Sequence, residues 1–165
     1  MKKLLLIILC LICINASFAQ VSKNTLFIGG TINSSERQSD KSRYIGLNNI
    51  AGVFLTDHFA VGSQILLYYD SYHNYGIGII PIVRYYIAVG KVYLFPTIMY
   101  GYRKIVFDSL LKKTFSLGRA GLGVSFFVNK YICFEPFLTY DYYHDSDGTS
   151  SNINLNFAFQ IYLHK

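Results

Sequence analysis

No run of this chain is apolar for the ~20 residues that a membrane-spanning helix requires. The longest, Leu4 to Ile14, is about 11 residues, follows Lys2-Lys3, and is closed by Ser17-Phe18-Ala19 before Gln20. A basic start, a short apolar middle and small residues at the cut predict a secretory signal peptide over residues 1–19. Cleavage leaves residues 20–165 as one domain. Cysteine is scarce too. Cys10 and Cys13 lie inside the apolar run without a small residue before them, which argues against a lipoprotein, and only Cys133 follows. The exported domain therefore has no internal disulfide. Cys133 sits in no nucleophile motif and reads as a small apolar filler of a strand. Charged residues are 15% of the chain, and losing Lys2 and Lys3 lowers the net charge from +6 to +4. No basic stripe with interleaved aromatics is present, which argues against nucleic acid as a partner. His58 and His73 stand apart with no metal spacing. Tryptophan is absent altogether.

Apolar and aromatic residues remain abundant: 52% of the chain is hydrophobic and 17% aromatic, with Tyr 15 and Phe 13. The clearest pattern is at the end, residues 152–163, Asn-Ile-Asn-Leu-Asn-Phe-Ala-Phe-Gln-Ile-Tyr-Leu. Ile153, Leu155, Phe157, Phe159, Ile161 and Leu163 leave one face, and Asn152, Asn154, Asn156, Ala158, Gln160 and Tyr162 leave the other. Alternation with period two is the geometry of a β-strand. Seven further segments alternate in the same way, over residues 23–33, 42–55, 59–70, 75–88, 92–103, 114–128 and 131–143. Asn49 interrupts the apolar row of the second, and Pro81, Pro96 and Pro136 interrupt three others; Pro81 gives no ladder donor, which a membrane barrel can tolerate at a bulge.

The connections alternate. Residues 56–58, 89–91 and 129–130 are short turns, whereas 34–41, 71–74, 104–113 and 144–151 are longer or more polar and read as loops, with extension of the strands beyond the bilayer as the alternative for Ile105-Val106-Phe107. Within each strand the charged residues Asp70, Arg84, Arg103, Arg119, Glu135 and Asp141 fall opposite the apolar face, as do most glycines. A soluble calyx has its polar face outside. A membrane barrel has lipid against its apolar face and polar residues within. The expectation is therefore an all-β fold, an eight-stranded antiparallel up-and-down transmembrane β-barrel. Tyr68-Tyr69, Tyr85-Tyr86 and Tyr142-Tyr143 would supply the headgroup-level aromatic belt in place of tryptophan.

Three phrases carry a resemblance. They are Val53-Phe54-Leu55-Thr56-Asp57-His58-Phe59-Ala60-Val61-Gly62, Gly121-Leu122-Gly123-Val124-Ser125-Phe126-Phe127-Val128-Asn129-Lys130-Tyr131, and Pro81-Ile82-Val83-Arg84-Tyr85-Tyr86. In these the chain resembles the small outer-membrane β-barrel proteins, the OmpX-, OmpW- and OmpA-transmembrane-like group. The resemblance implies residence in a bacterial cell outer membrane, contact with outer-membrane lipid, and insertion by the barrel-assembly machinery. The closing strand resembles the signal which that machinery reads, although the chain ends Leu163-His164-Lys165 rather than on an aromatic residue.

An eight-strand barrel has room inside only for side chains. Arg84, Arg119 and Glu135 are expected to form an ion-pair network that plugs the lumen, with a charged constriction of a narrow channel for small solutes as the alternative. His144-Asp145-Ser146 has the His-x-Ser spacing of barrels that act on lipid A, but Asp147 stands where those carry Asn, and a spacing alone builds no triad. The reading is a monomeric barrel with a structural or surface-interaction role, no catalysis and no cofactor.

Overall fold

The computed structural model describes residues 21–36, 43–72, 74–107, 111–146 and 148–164. The expected leader over residues 1–19, His73 and Asp147 lie outside them. The strands are β1 (Leu26–Glu36), β2 (Arg43–Phe54), β3 (Phe59–Asp70), β4 (Tyr75–Tyr85), β5 (Ile87–Val89), β6 (Val92–Phe107), β7 (Leu111–Phe127), β8 (Ile132–Asp145) and β9 (Gly148–Leu163). Both β4 and β5 pair with β6 in one unbroken register, Ile82↔Met99, Arg84↔Thr97 and Ile87↔Leu94, so they form a single stave interrupted at Tyr86. Neighbouring staves are antiparallel in chain order, β9 pairs back onto β1, and the sheet is a closed eight-stranded up-and-down barrel. The closing seam pairs β1 with β9 over five residues, Leu26↔Leu163 to Gly30↔Phe159, and such pairing of the two edge strands is what lets a sheet cross a membrane. No helix among the described residues is long and apolar enough to do so.

Period two sets the two faces. Ile153, Leu122 and Ile98 are 72%, 68% and 66% exposed on the outer face, whereas Gln160, Glu135 and Asp141 are buried within. Asn49 does lie on the outer face, between Leu47 and Ala51, and Ile50 and Phe54 on its strand are fully buried. The polar residue is thus a feature of the outer surface and not a slip of register. Each tyrosine pair is divided by the same rule. Tyr69, Tyr85 and Tyr142 are exposed outside, while Tyr68, Tyr86 and Tyr143 turn into the lumen, so only half of the expected belt faces lipid.

The prolines do not sit at bulges. The β4–β6 ladder runs to Ile79↔Tyr102 and resumes at Ile82↔Met99, skipping Pro81. It skips again between Arg84↔Thr97 and Ile87↔Leu94, where Pro96 would face Tyr85. The β7–β8 ladder skips from Gly123↔Phe137 to Phe126↔Phe134, past Pro136. The offset is the same on both sides of every gap, so no residue is inserted. Each proline simply withholds one donor.

The two ends of the barrel differ less in loop length than the sequence suggests. Ile105, Val106 and Phe107 continue β6, the alternative that their apolar run offered, whereas Lys104 and residues 111–113 and 148–151, expected as loop, lie in β6, β7 and β9. Asp145 pairs with Gly148. The asymmetry lies instead in strand length. β6 to β9 have 16, 17, 14 and 16 residues, against the ~9–11 that a tilted crossing uses. Polar residues that continue a strand beyond the hydrocarbon meet water on both faces, and by composition they look like loop. Both ends of the described chain lie at the turn end, where Thr25 Oγ1 meets His164 Nδ1 at 3.2 Å.

Candidate functional site

Inward side chains fill the lumen in four levels. At the turn end Phe27, Phe54, Tyr86, Phe95, Phe127 and Tyr162 form an aromatic layer, each at most 4% exposed. Ring centroids lie 4.9 Å apart for Phe54–Tyr86 and Phe127–Tyr162, and 5.3 Å for Tyr86–Phe95. Such offset and edge contacts add to the burial of the rings themselves. Val21, before β1, is buried beneath this layer. The glycines make the space for it. A Cβ on Gly52 would come within 2.3 Å of the Phe27 ring, and one on Gly123 within 2.3 Å of the Phe95 ring.

On top of the rings sits the first charged cluster. The Arg84 Nη1 donates to Glu135 Oε2 at 2.9 Å and to the Tyr86 hydroxyl at 3.2 Å. Glu135 also accepts from Ser125 Oγ at 2.8 Å, from the Tyr162 hydroxyl at 2.7 Å and from Gln160 Nε2. Both ionic side chains are wholly buried. The Arg84 Nε and Nη2 have no hydrogen-bond partner, but the guanidinium lies 4.7 Å from the Phe95 ring centroid and 5.8 Å from that of Phe27. The aromatic faces thus take the part of the cation that Glu135 does not. Cys133 belongs to this cluster, its Sγ 3.9 Å from Glu135 Oε1, and it is fully buried.

Ile50, Ile80, Ile82, Met99 and Phe137 form a buried apolar level in the middle. The second charged cluster lies toward the loop end. There the guanidinium of Arg119 makes a two-pronged contact with Asp141, and its Nη1 donates to Gln64 Oε1 at 3.1 Å. The Tyr143 hydroxyl donates to Asp141 at 3.2 Å. Of the three residues expected in one network, Arg84 and Glu135 meet, and Arg119 has its own partner in Asp141. Glu135 and Asp141 are six residues apart on β8, about 20 Å along the strand. Beside Arg119 is a cavity of about 160 Å³, lined by Asn48, Tyr68, Arg103, Asp141, Tyr143, Asn154 and Asn156 among others.

A closed antiparallel barrel with an apolar exterior and buried charges within fits a membrane on its outer face and its own side chains on its inner one. The chain has the fold of a small outer-membrane β-barrel. The N-terminal β-barrel domain of Pseudomonas aeruginosa OprF is similar to it, with a TM-score of 0.60 at 16% identity over 86% of this chain and 98% of that one. A structure described as de novo design of transmembrane β-barrels matches with a TM-score of 0.42 at 13% identity, over 86% of this chain and 93% of that one. No family model and no curated protein matches the chain.

In the barrel the His144-Asp145-Ser146 spacing assembles no triad. His144 is exposed on the outer face, and Asp145 is bound to Lys113 Nζ at 2.8 Å. His58 Nδ1 contacts the Tyr86 carbonyl at 3.1 Å, and among the described residues no group of three His, Cys, Asp or Glu could hold a metal. Sequence reasoning did not single out the aromatic layer. Its signal was available: Phe54, Tyr86, Phe95 and Phe127 all have inward parity and all lie within a few residues of a short turn.

Proposed function

We propose that this is an integral protein of a bacterial outer membrane. It is a monomeric barrel with a lumen closed by its own side chains, a structural or surface-interaction role, and no catalysis or cofactor. Its loop end faces outward and its turn end faces the periplasm, the orientation that short periplasmic turns favour. One observation carries the reading: the aromatic layer and the Arg84–Glu135 pair fill the turn-end half of the lumen, with Phe54, Tyr86, Arg84 and Glu135 at most 1% exposed. An eight-stranded interior leaves no room for a pore beside them. Its partners are outer-membrane lipid around the staves and the assembly machinery that reads β9 on insertion, with no nucleic acid.

A narrow channel for small solutes is the second reading, favoured by the polar cavity beside Arg119, with Arg84, Arg119 and Glu135 as its constriction. Planar-bilayer recording of the refolded protein separates the two. Insertion without discrete conductance steps is expected. Reproducible steps would make the barrel a channel.

A further inference from the structure

The loop-end cavity has a charge pattern that the plug does not use. Its lining includes three charged side chains: Arg103, Arg119 and Asp141. Arg119 and Asp141 neutralise each other. Arg103 has no hydrogen bond or ion pair among the described residues, and its Nε is buried without a partner. It is held only by rings, its guanidinium carbon 5.4 Å from the centroids of both Phe115 and Tyr143. The nearby carboxylates are engaged. Asp70 accepts from the Tyr68 hydroxyl, the Asn74 side chain and the backbone N–H groups of Tyr72 and Asn74, and Asp145 is paired with Lys113. The remaining polar lining is neutral: Asn48, Asn154, Asn156 and Tyr68.

We propose that this cavity is a binding site for a small oxyanion, with the Arg103 guanidinium as its anchor. A guanidinium presents its donors as a planar fork that matches carboxylate and phosphate oxygens. A narrow protein-walled cleft also focuses the field of a charge that would be screened on an open surface. The side-chain amides of Asn48, Asn154 and Asn156 in the lining supply N–H donors for the oxygens that Arg103 does not reach. The shared chemistry is an oxyanion, phosphate or carboxylate, entering from the loop end. The site stands whether or not the lumen conducts, because the cavity lies on the far side of the apolar middle level from the Arg84–Glu135 pair.

The test is a titration of the refolded full chain, ¹⁵N-labelled at arginine in detergent micelles, with inorganic phosphate, acetate or chloride at constant ionic strength. The Arg103 Nε–H resonance should shift saturably with phosphate or acetate and not with chloride, and the tighter of the two names the oxyanion class. Read on the Arg119 Nε–H resonance of the same cavity, binding should weaken about tenfold or more in Arg103→Gln, the scale of one charge-assisted contact. Asn154→Asp, which adds a carboxylate to the wall while leaving Arg103 in place, should weaken it similarly. Absence of a saturable shift overturns the proposal. So does unchanged affinity in either variant that keeps the heat-shifted mobility of a folded barrel.

Discussion

At the scale of single residues, the lumen tolerates one loss badly and a paired loss well. Glu135 accepts hydrogen bonds from Arg84, Ser125, Tyr162 and Gln160 in a space with no access to water. Glu135→Ala strands Arg84 as a buried charge, and breaking such a pair costs ~3–5 kcal/mol. Urea unfolding of the refolded protein, followed by its heat-shifted band, should show a destabilisation of that order. Arg84→Met combined with Glu135→Leu should recover most of it, because apolar replacement of a whole buried pair is often neutral. The glycines give a second contrast. Gly123→Ala forces a Cβ to 2.3 Å from Phe95 Cζ and 2.7 Å from Phe137 Cβ, an overpacking worth ~1–3 kcal/mol. Gly90 has open space around it but a φ of +61°, so Gly90→Ala should cost ~1–2 kcal/mol through backbone strain alone. Only the Gly123 variant should disturb the aromatic layer, as read by near-ultraviolet circular dichroism. Of the charged pairs, sequence reasoning could place Arg84 and Glu135 on the same side, because parity fixes sides. It could not assign Asp141 to Arg119, because the two lie on different strands and only the β7–β8 register brings them opposite each other.

At the scale of strands, the outer face was legible nearly residue by residue, because lipid imposes a simple rule on every second position. That rule makes a graded prediction along β7. Leu122 is 68% exposed near the middle of the strand and pairs with Leu138, which is also exposed. Phe126 is outward too but lies beside the turn. Leu122→Arg should cost ~2–4 kcal/mol and Phe126→Arg ~0–1 kcal/mol, since the penalty for a charge falls from midplane to interface. Equal costs in refolding titrations into lipid vesicles would show that β7 does not cross the bilayer at this depth. What sequence misjudged in the strands was their loop ends. Lys104, Lys112 and Lys113 lie in continuous β6–β7 pairing, although nothing in their polarity distinguishes a strand in water from a loop. The prolines misled in the other direction. A missing donor invites a bulge, but here the offset survives each one, and the rest of the closed ladder holds the register.

At the scale of the whole molecule, on the closed-scaffold reading proposed above the barrel is a cup and not a tube, its described lumen residues polar toward the loops and aromatic toward the turns. The count of staves and the sidedness were legible because each follows from local alternation. The closed floor was not, because it arises from six rings on six staves that meet only when the sheet curls up. The cup predicts a sharp boundary of water access along β9. Asn154 and Asn156 line the cavity, while Ala158 and Gln160 are fully buried below it. With Cys133→Ala as background, Asn154→Cys and Asn156→Cys should react with a small charged thiol reagent added to the folded protein in vesicles. Ala158→Cys and Gln160→Cys should react only after unfolding. Ile153→Cys and Leu155→Cys, on the outer face, should be shielded by lipid from the same reagent and become reactive in denaturant. Cys133 in the unaltered protein should behave like the Gln160 position, since both belong to the Glu135 cluster. Equal labelling at residues 154 and 160 would mean that water runs the length of the lumen. The aromatic layer would then be a gate that opens, and the closed-scaffold reading would give way to the channel.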